Sequence, residues 1–146
     1  MNIDQKFPKE FLSAVEASIA EWNNSRGREL IRLGGVVQGG EVAQDGFNVL
    51  YWNENWDGFK PGEQARTVVY WSGAQIFEAD VRVNSKDFKF SVSAQGGRVD
   101  MESLLVHEFG HVLGLDHRKD APSVMLAGLS TGTLRREPQK SDLDAL

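Results

Sequence analysis

Phe11, Leu12, Val15, Ile19 and Trp22 recur three or four residues apart, with Glu10, Glu16 and Glu21 between them. That period predicts an amphipathic helix from Pro8 to about Asn23, with Pro8 suited to the first turn. The run Asn23-Asn24-Ser25-Arg26-Gly27 should stop it. The middle of the chain changes period. Leu30–Val37 mixes alternation with Gly34-Gly35, which reads as a strand with a bulge or frayed end. Phe47–Trp52 reads as a short buried strand, and Asn53–Gly62 as a loop. Thr67–Trp71 and Gln75–Asn84 form an expected hairpin across Ser72-Gly73. Phe88–Ser93 fits no single period, and Ala94–Gly97 reads as a loop. Asp100–Leu113 returns to the helical period. Beyond it the chain is irregular until Ser141-Asp142-Leu143-Asp144, where the serine-x-x-acid form predicts a helix N-cap at Ser141. Only six residues follow the start of that helix, so a truncated C-terminus is expected.

Composition narrows the class. With 146 residues, 40% apolar and 25% charged, the chain is expected to form one globular domain over residues 1–146. A net charge of -5 offers no basic field to draw nucleic acid. No apolar run approaches the ~20 residues of a membrane span, so neither partner is expected. There are no cysteines, which excludes disulfides, thiolate metal sites and a cysteine nucleophile. The segment Met1–Gln5 has no signal-peptide core, which fits either a cytoplasmic protein or an excised mature domain.

All three histidines fall within the stretch His107-Glu108-Phe109-Gly110-His111-Val112-Leu113-Gly114-Leu115-Asp116-His117. On a helix, His107 and His111 lie about 40° apart and one turn up, so both rings can reach a single ion. Glu108 lies about 100° from His107 and 60° from His111, near enough to meet a ligand of that ion. Leu105, Val106, Phe109, Val112 and Leu113 fill the opposite side and anchor it to a core. Ser103 and Gly110 flank the histidine face and are expected to leave it open. His117 joins only if the chain turns after Leu113, and Gly114 permits that turn because glycine adopts positive φ freely. Three imidazoles leave one open position on a zinc ion, the catalytic rather than the structural arrangement. There the metal acidifies a bound water and polarises a carbonyl, and Glu108 moves the proton.

The motif resembles that of the metzincin zinc peptidases, His-Glu-x-x-His-x-x-Gly-x-x-His followed by a methionine turn. Ser123-Val124-Met125 stands where the matrixin branch has that turn, which would put Met125 beneath the zinc. Ile76-Phe77-Glu78-Ala79-Asp80-Val81 and the closing Ser141–Leu146 are also similar to bacterial matrixin-like domains. The resemblance implies an α+β metzincin fold: a twisted, mostly parallel sheet with one antiparallel edge strand, two long helices and a C-terminal helix cut short. It implies a secreted metalloendopeptidase, a monomer with a protein or peptide substrate and one catalytic zinc. Calcium stays open, since its ligands include backbone carbonyls. It also implies that substrate adds as a strand along the antiparallel edge. Thr67, Val68, Val69 and Tyr70 are the candidate edge, with an interior strand the equal alternative. Where matrixins carry serine after the third histidine this chain has Arg118, and where they carry Tyr-Pro after the methionine it has Leu126-Ala127. Those residues wall the S1′ pocket, to which Ser103 would add an open floor.

A different class competes. Trp52, Trp56 and Trp71, with Tyr51 and Tyr70, could form a platform for carbohydrate or peptide around a merely structural zinc. The alternative is that these aromatics pack the core and its edges.

Overall fold

The computed structural model describes residues 1–120 and 122–146. Its main sheet is built from β1 (Asn2–Asp4), β2 (Val36–Val37), β3 (Val49–Asn53), β4 (Ala65–Ser72) and β5 (Gln75–Asn84). Their order across the sheet is β2-β1-β3-β5-β4. β1 pairs in parallel with β2 and β3, and β3 with β5, while β4 runs antiparallel to β5. A second sheet of two short strands, β6 (Phe90–Ser91) and β7 (Val99–Asp100), leads into the helix that begins at Met101. The architecture is therefore α+β with a mostly parallel sheet and one antiparallel strand, β4, at the edge. The expected hairpin is present, and it makes Thr67–Tyr70 an edge rather than an interior segment.

Helix α1 (Leu12–Arg26) follows a 3-10 turn at Lys9–Phe11 and ends at Gly27, whose φ of 60° lets its N–H close on Asn23 and Asn24 carbonyls. The helix thus outlasts its expected stop by one turn. Asn23 faces inward and clamps the next loop, accepting from Leu30 N and Ile31 N and donating to Ile31 O. Val15, Ile19 and Trp22 are buried against α2 (Met101–Val112), and Trp22 Nε1 donates to Val106 O at 2.9 Å. Asp100 caps α2 by accepting from Ser103 N. Arg136 in turn pairs with the fully buried Asp100 at 2.7 Å.

Two expectations need correction, and one strand had no expectation attached to it. Leu30–Val37 is irregular except at Val36–Val37, because Gly34 lies so close to Asn2 that a β-carbon there would strike its side chain. Gly34 serves a close approach rather than a bulge, while a β-carbon at Gly35 would meet nothing within 4 Å. Met1–Gln5 contains β1, a strand too short for alternation to reveal. Finally, α3 (Lys140–Leu143) is capped at Gln139 rather than Ser141, with Asp142 completing the capping box. Ser141 Oγ instead donates to Pro122 O.

Candidate metal centre and active-site cleft

The site is assembled from α2, the turn after it and the edge strand. α2 ends at Val112, and Gly114 at φ 94° reverses the chain, its N–H bonded to His111 O. The expected bend thus occurs, and it carries His117 back over the helix. The Nε2 atoms of His107, His111 and His117 lie 3.2 Å from one another in all three pairs. Among the described residues these form the one group of at least three His, Cys, Asp or Glu side chains whose ligand atoms all lie within 4.8 Å.

The donor set suits a small divalent ion. His107 Nδ1 faces Val124 O at 2.8 Å and His111 Nδ1 faces Leu115 O at 2.6 Å. Carbonyls only accept, so both rings carry their proton on Nδ1 and turn an Nε2 lone pair inward. Zn–N bonds of about 2.0 Å at tetrahedral angles put ligand nitrogens roughly 3.3 Å apart, the spacing these rings already have. Burial pushes the His107 pKa down to about 4, and lowers that of His111, which keeps imidazoles neutral as a metal requires.

Met125 and Gly110 explain how the floor is built. Met125 is fully buried, and a β-carbon at Gly110 would collide with its sulfur and stand 3.2 Å from Trp22. Gly110 therefore faces the methionine turn instead of opening the histidine face. The turn itself is tied from below by Asp142, whose carboxylate accepts from Ser123 Oγ, Val124 N and Gln139 N. Asp142 thereby sets Val124 O, which orients His107.

Glu108 stands beside the triad in a cleft of about 830 Å³. Its carboxylate accepts a 2.5 Å hydrogen bond from Thr67 Oγ1 on β4. Burial raises its pKa to about 7, which the Thr67 bond partly offsets. Along β4, Thr67, Val69 and Trp71 line the cleft, whereas Val68 and Tyr70 do not, as the two-residue period of a strand requires. Ser103 lies away from the cleft wall and is fully buried. Its hydroxyl donates to Asp100 and accepts from Arg135 N, so it braces rather than forms a pocket floor.

The aromatics disperse. Tyr51 and Trp56 are buried, Trp52 packs with Phe7, Phe11 and Phe90, and only Trp71, 68% exposed, presents its ring at the cleft. No common platform forms from them. Two residues escaped the sequence reading. Gln64, which donates to Leu129 O across the cleft, and Arg135, which lines it, carry no local motif.

The matrixin family model matches residues 49–146. The chain is a matrixin. A stretch of 48 residues is 40% identical to Metalloendoproteinase 5-MMP of Arabidopsis thaliana. That stretch covers 33% of this chain and 13% of the plant protein, so the chain spans a small part of that relative. Membership sets the general class, the metallopeptidases, and implies zinc; the histidine triad is a group that could hold a metal ion.

Proposed function

We propose that residues 1–146 act as a zinc-dependent endopeptidase domain, and one observation carries the reading: three mutually adjacent Nε2 atoms sit beside a buried carboxylate at the base of a cleft rimmed by an edge strand. His107, His111 and His117 would hold the ion, which when bound supplies a Lewis acid for the water and the scissile carbonyl. The remaining chemistry belongs to the chain. Glu108 takes a proton from the attacking water as its oxygen bonds to the carbonyl carbon. It returns that proton to the amine nitrogen as the C–N bond breaks, so it ends as it began. Thr67 holds the Glu108 carboxylate in place through the hydroxyl bond. The free edge of β4 lets an extended peptide add as a further strand, placing its backbone across the cleft. Met125 supports the histidine floor. An extracellular setting and a monomeric state complete the proposal, and no helix of the described residues is long and apolar enough to cross a membrane.

The deciding experiment is cleavage of a quenched-peptide library by the zinc-replete protein, with and without a chelator. Glu108→Ala should retain one equivalent of zinc while cleavage falls by about 10²–10⁴-fold. Undiminished cleavage by the metal-replete variant would remove Glu108 from the mechanism. Peptide binding without any cleavage would instead favour a binding module.

A further inference from the structure

The reaction just described leaves Arg135, a cation at the cleft, without a task. The backbone N–H of Arg135 donates to Ser103 Oγ at 2.8 Å, tying the loop beyond the methionine turn to α2 one turn before His107. From there Arg135 lines the cleft together with Leu104 and His107. One terminal nitrogen donates to Leu126 O at 2.9 Å and Gly128 O at 3.1 Å. The Nε is buried without a partner. No carboxylate of the described residues lies within ion-pair distance of Arg135.

The acids around it are committed elsewhere. Glu63 pairs with Arg66 at 2.7 Å, Glu108 takes the Thr67 hydroxyl, and Asp142 accepts from three donors of its own. A half-buried cation with unused N–H donors is costly when an apolar side chain seals it from water, and favourable when a carboxylate meets it. The guanidinium fork also rejects a second cation by plain repulsion.

We propose that Arg135 is a specificity-determining residue, selecting peptides whose side chain at the Leu104–Arg135 end of the cleft is Glu or Asp. This rests on the peptidase reading above. A purely architectural role, bracing the Leu126–Gly128 wall, is the competing explanation. The two differ in what they do to selectivity.

The test uses peptides identical except for Glu, Gln, Leu or Lys at one position, scanned through the sites flanking the scissile bond. For the zinc-replete wild type, kcat/KM should favour Glu over Gln by at least about tenfold at one position, with Lys disfavoured there. In Arg135→Gln that ratio should fall to near one, while Arg135→Lys should keep part of it. A flat wild-type profile, or an Arg135→Gln variant that slows every peptide equally and keeps the ratio, would overturn the proposal. Should Arg135→Gln fail to fold, as its melting curve would reveal, the wild-type and Arg135→Lys profiles decide. If no peptide is cleaved, the peptidase reading fails by itself. Trp71 fluorescence titration of the Glu and Gln peptides into the Glu108→Gln protein then decides the subsite, and equal affinities reject it.

Discussion

Two buried carboxylates, one beneath the histidine triad and one on β5, are treated very differently by the fold. Asp142 is fully buried, and its two oxygens accept three hydrogen bonds from Ser123, Val124 and Gln139. Asp80 is only 1% exposed, yet just one oxygen has a well-formed bond, from Val49 N at 2.9 Å, and Oδ2 has none. Burial, followed by the nearby Glu78 and Asp45 charges, outweighs the amides and raises the Asp80 pKa to about 6. Satisfaction is therefore concentrated under the three rings whose Nε2 atoms converge on one point. Beneath the sheet, the fold tolerates an underpaired carboxylate at some cost in stability.

The largest effect should come from the histidine triad itself, above the carboxylate that braces it. His111→Ala removes one of three convergent Nε2 atoms, and zinc content measured after dialysis should fall to near zero, with cleavage lost alongside. Full zinc occupancy in that variant would show that the triad is not the metal site. Next, Asp142→Ala strands Ser123, Val124 and Gln139 donors and should cost about 3 kcal/mol in denaturant unfolding. It should also weaken zinc binding, because Val124 O would no longer fix His107. Normal stability would erase the contrast between the two carboxylates.

Asp80 should respond in the opposite sense. Its folded pKa is raised from 3.8 to about 6, so the folded state binds more protons than the unfolded across that interval. Its contribution is therefore most favourable at low pH, where it is protonated in both states, and is lost as pH rises through 6. The wild type should lose on the order of 2 kcal/mol relative to Asp80→Asn between about pH 4 and 7. Parallel stability curves for the two proteins would show that Asp80 is better paired than its surroundings indicate. The smallest effect is expected at the rim. Thr67→Val deletes one hydroxyl bond to Glu108, and kcat/KM should drop about tenfold at unchanged zinc content.

The parts of this molecule that were legible in the chain share one property: they are local. His107, Glu108 and His111 follow from helical rotation alone, and Gly114 announces the bend because a positive φ suits glycine. The β4–β5 hairpin declares itself through alternation flanking a tight turn. What failed was non-local. Ser103 sits close to the histidine face in sequence, yet a capping bond to Asp100 and a distant amide from Arg135 draw it into the interior. Ser141 has the form of an N-cap, but its hydroxyl donates to Pro122 O, 19 positions away, and Gln139 takes the cap instead.

From the order of residues alone came the helix that pairs two histidines on one face, its reversal and the carboxylate beside it, since each depends on contacts within a few turns of chain. Only the folded chain decided that β4 lies at the edge, that Thr67 reaches Glu108 and that Asp142 steers His107 through Val124. It also decided that Arg135 lines the cleft. Those relations join residues 17 to 41 positions apart, and at such separations only packing of the whole core determines which polar groups meet.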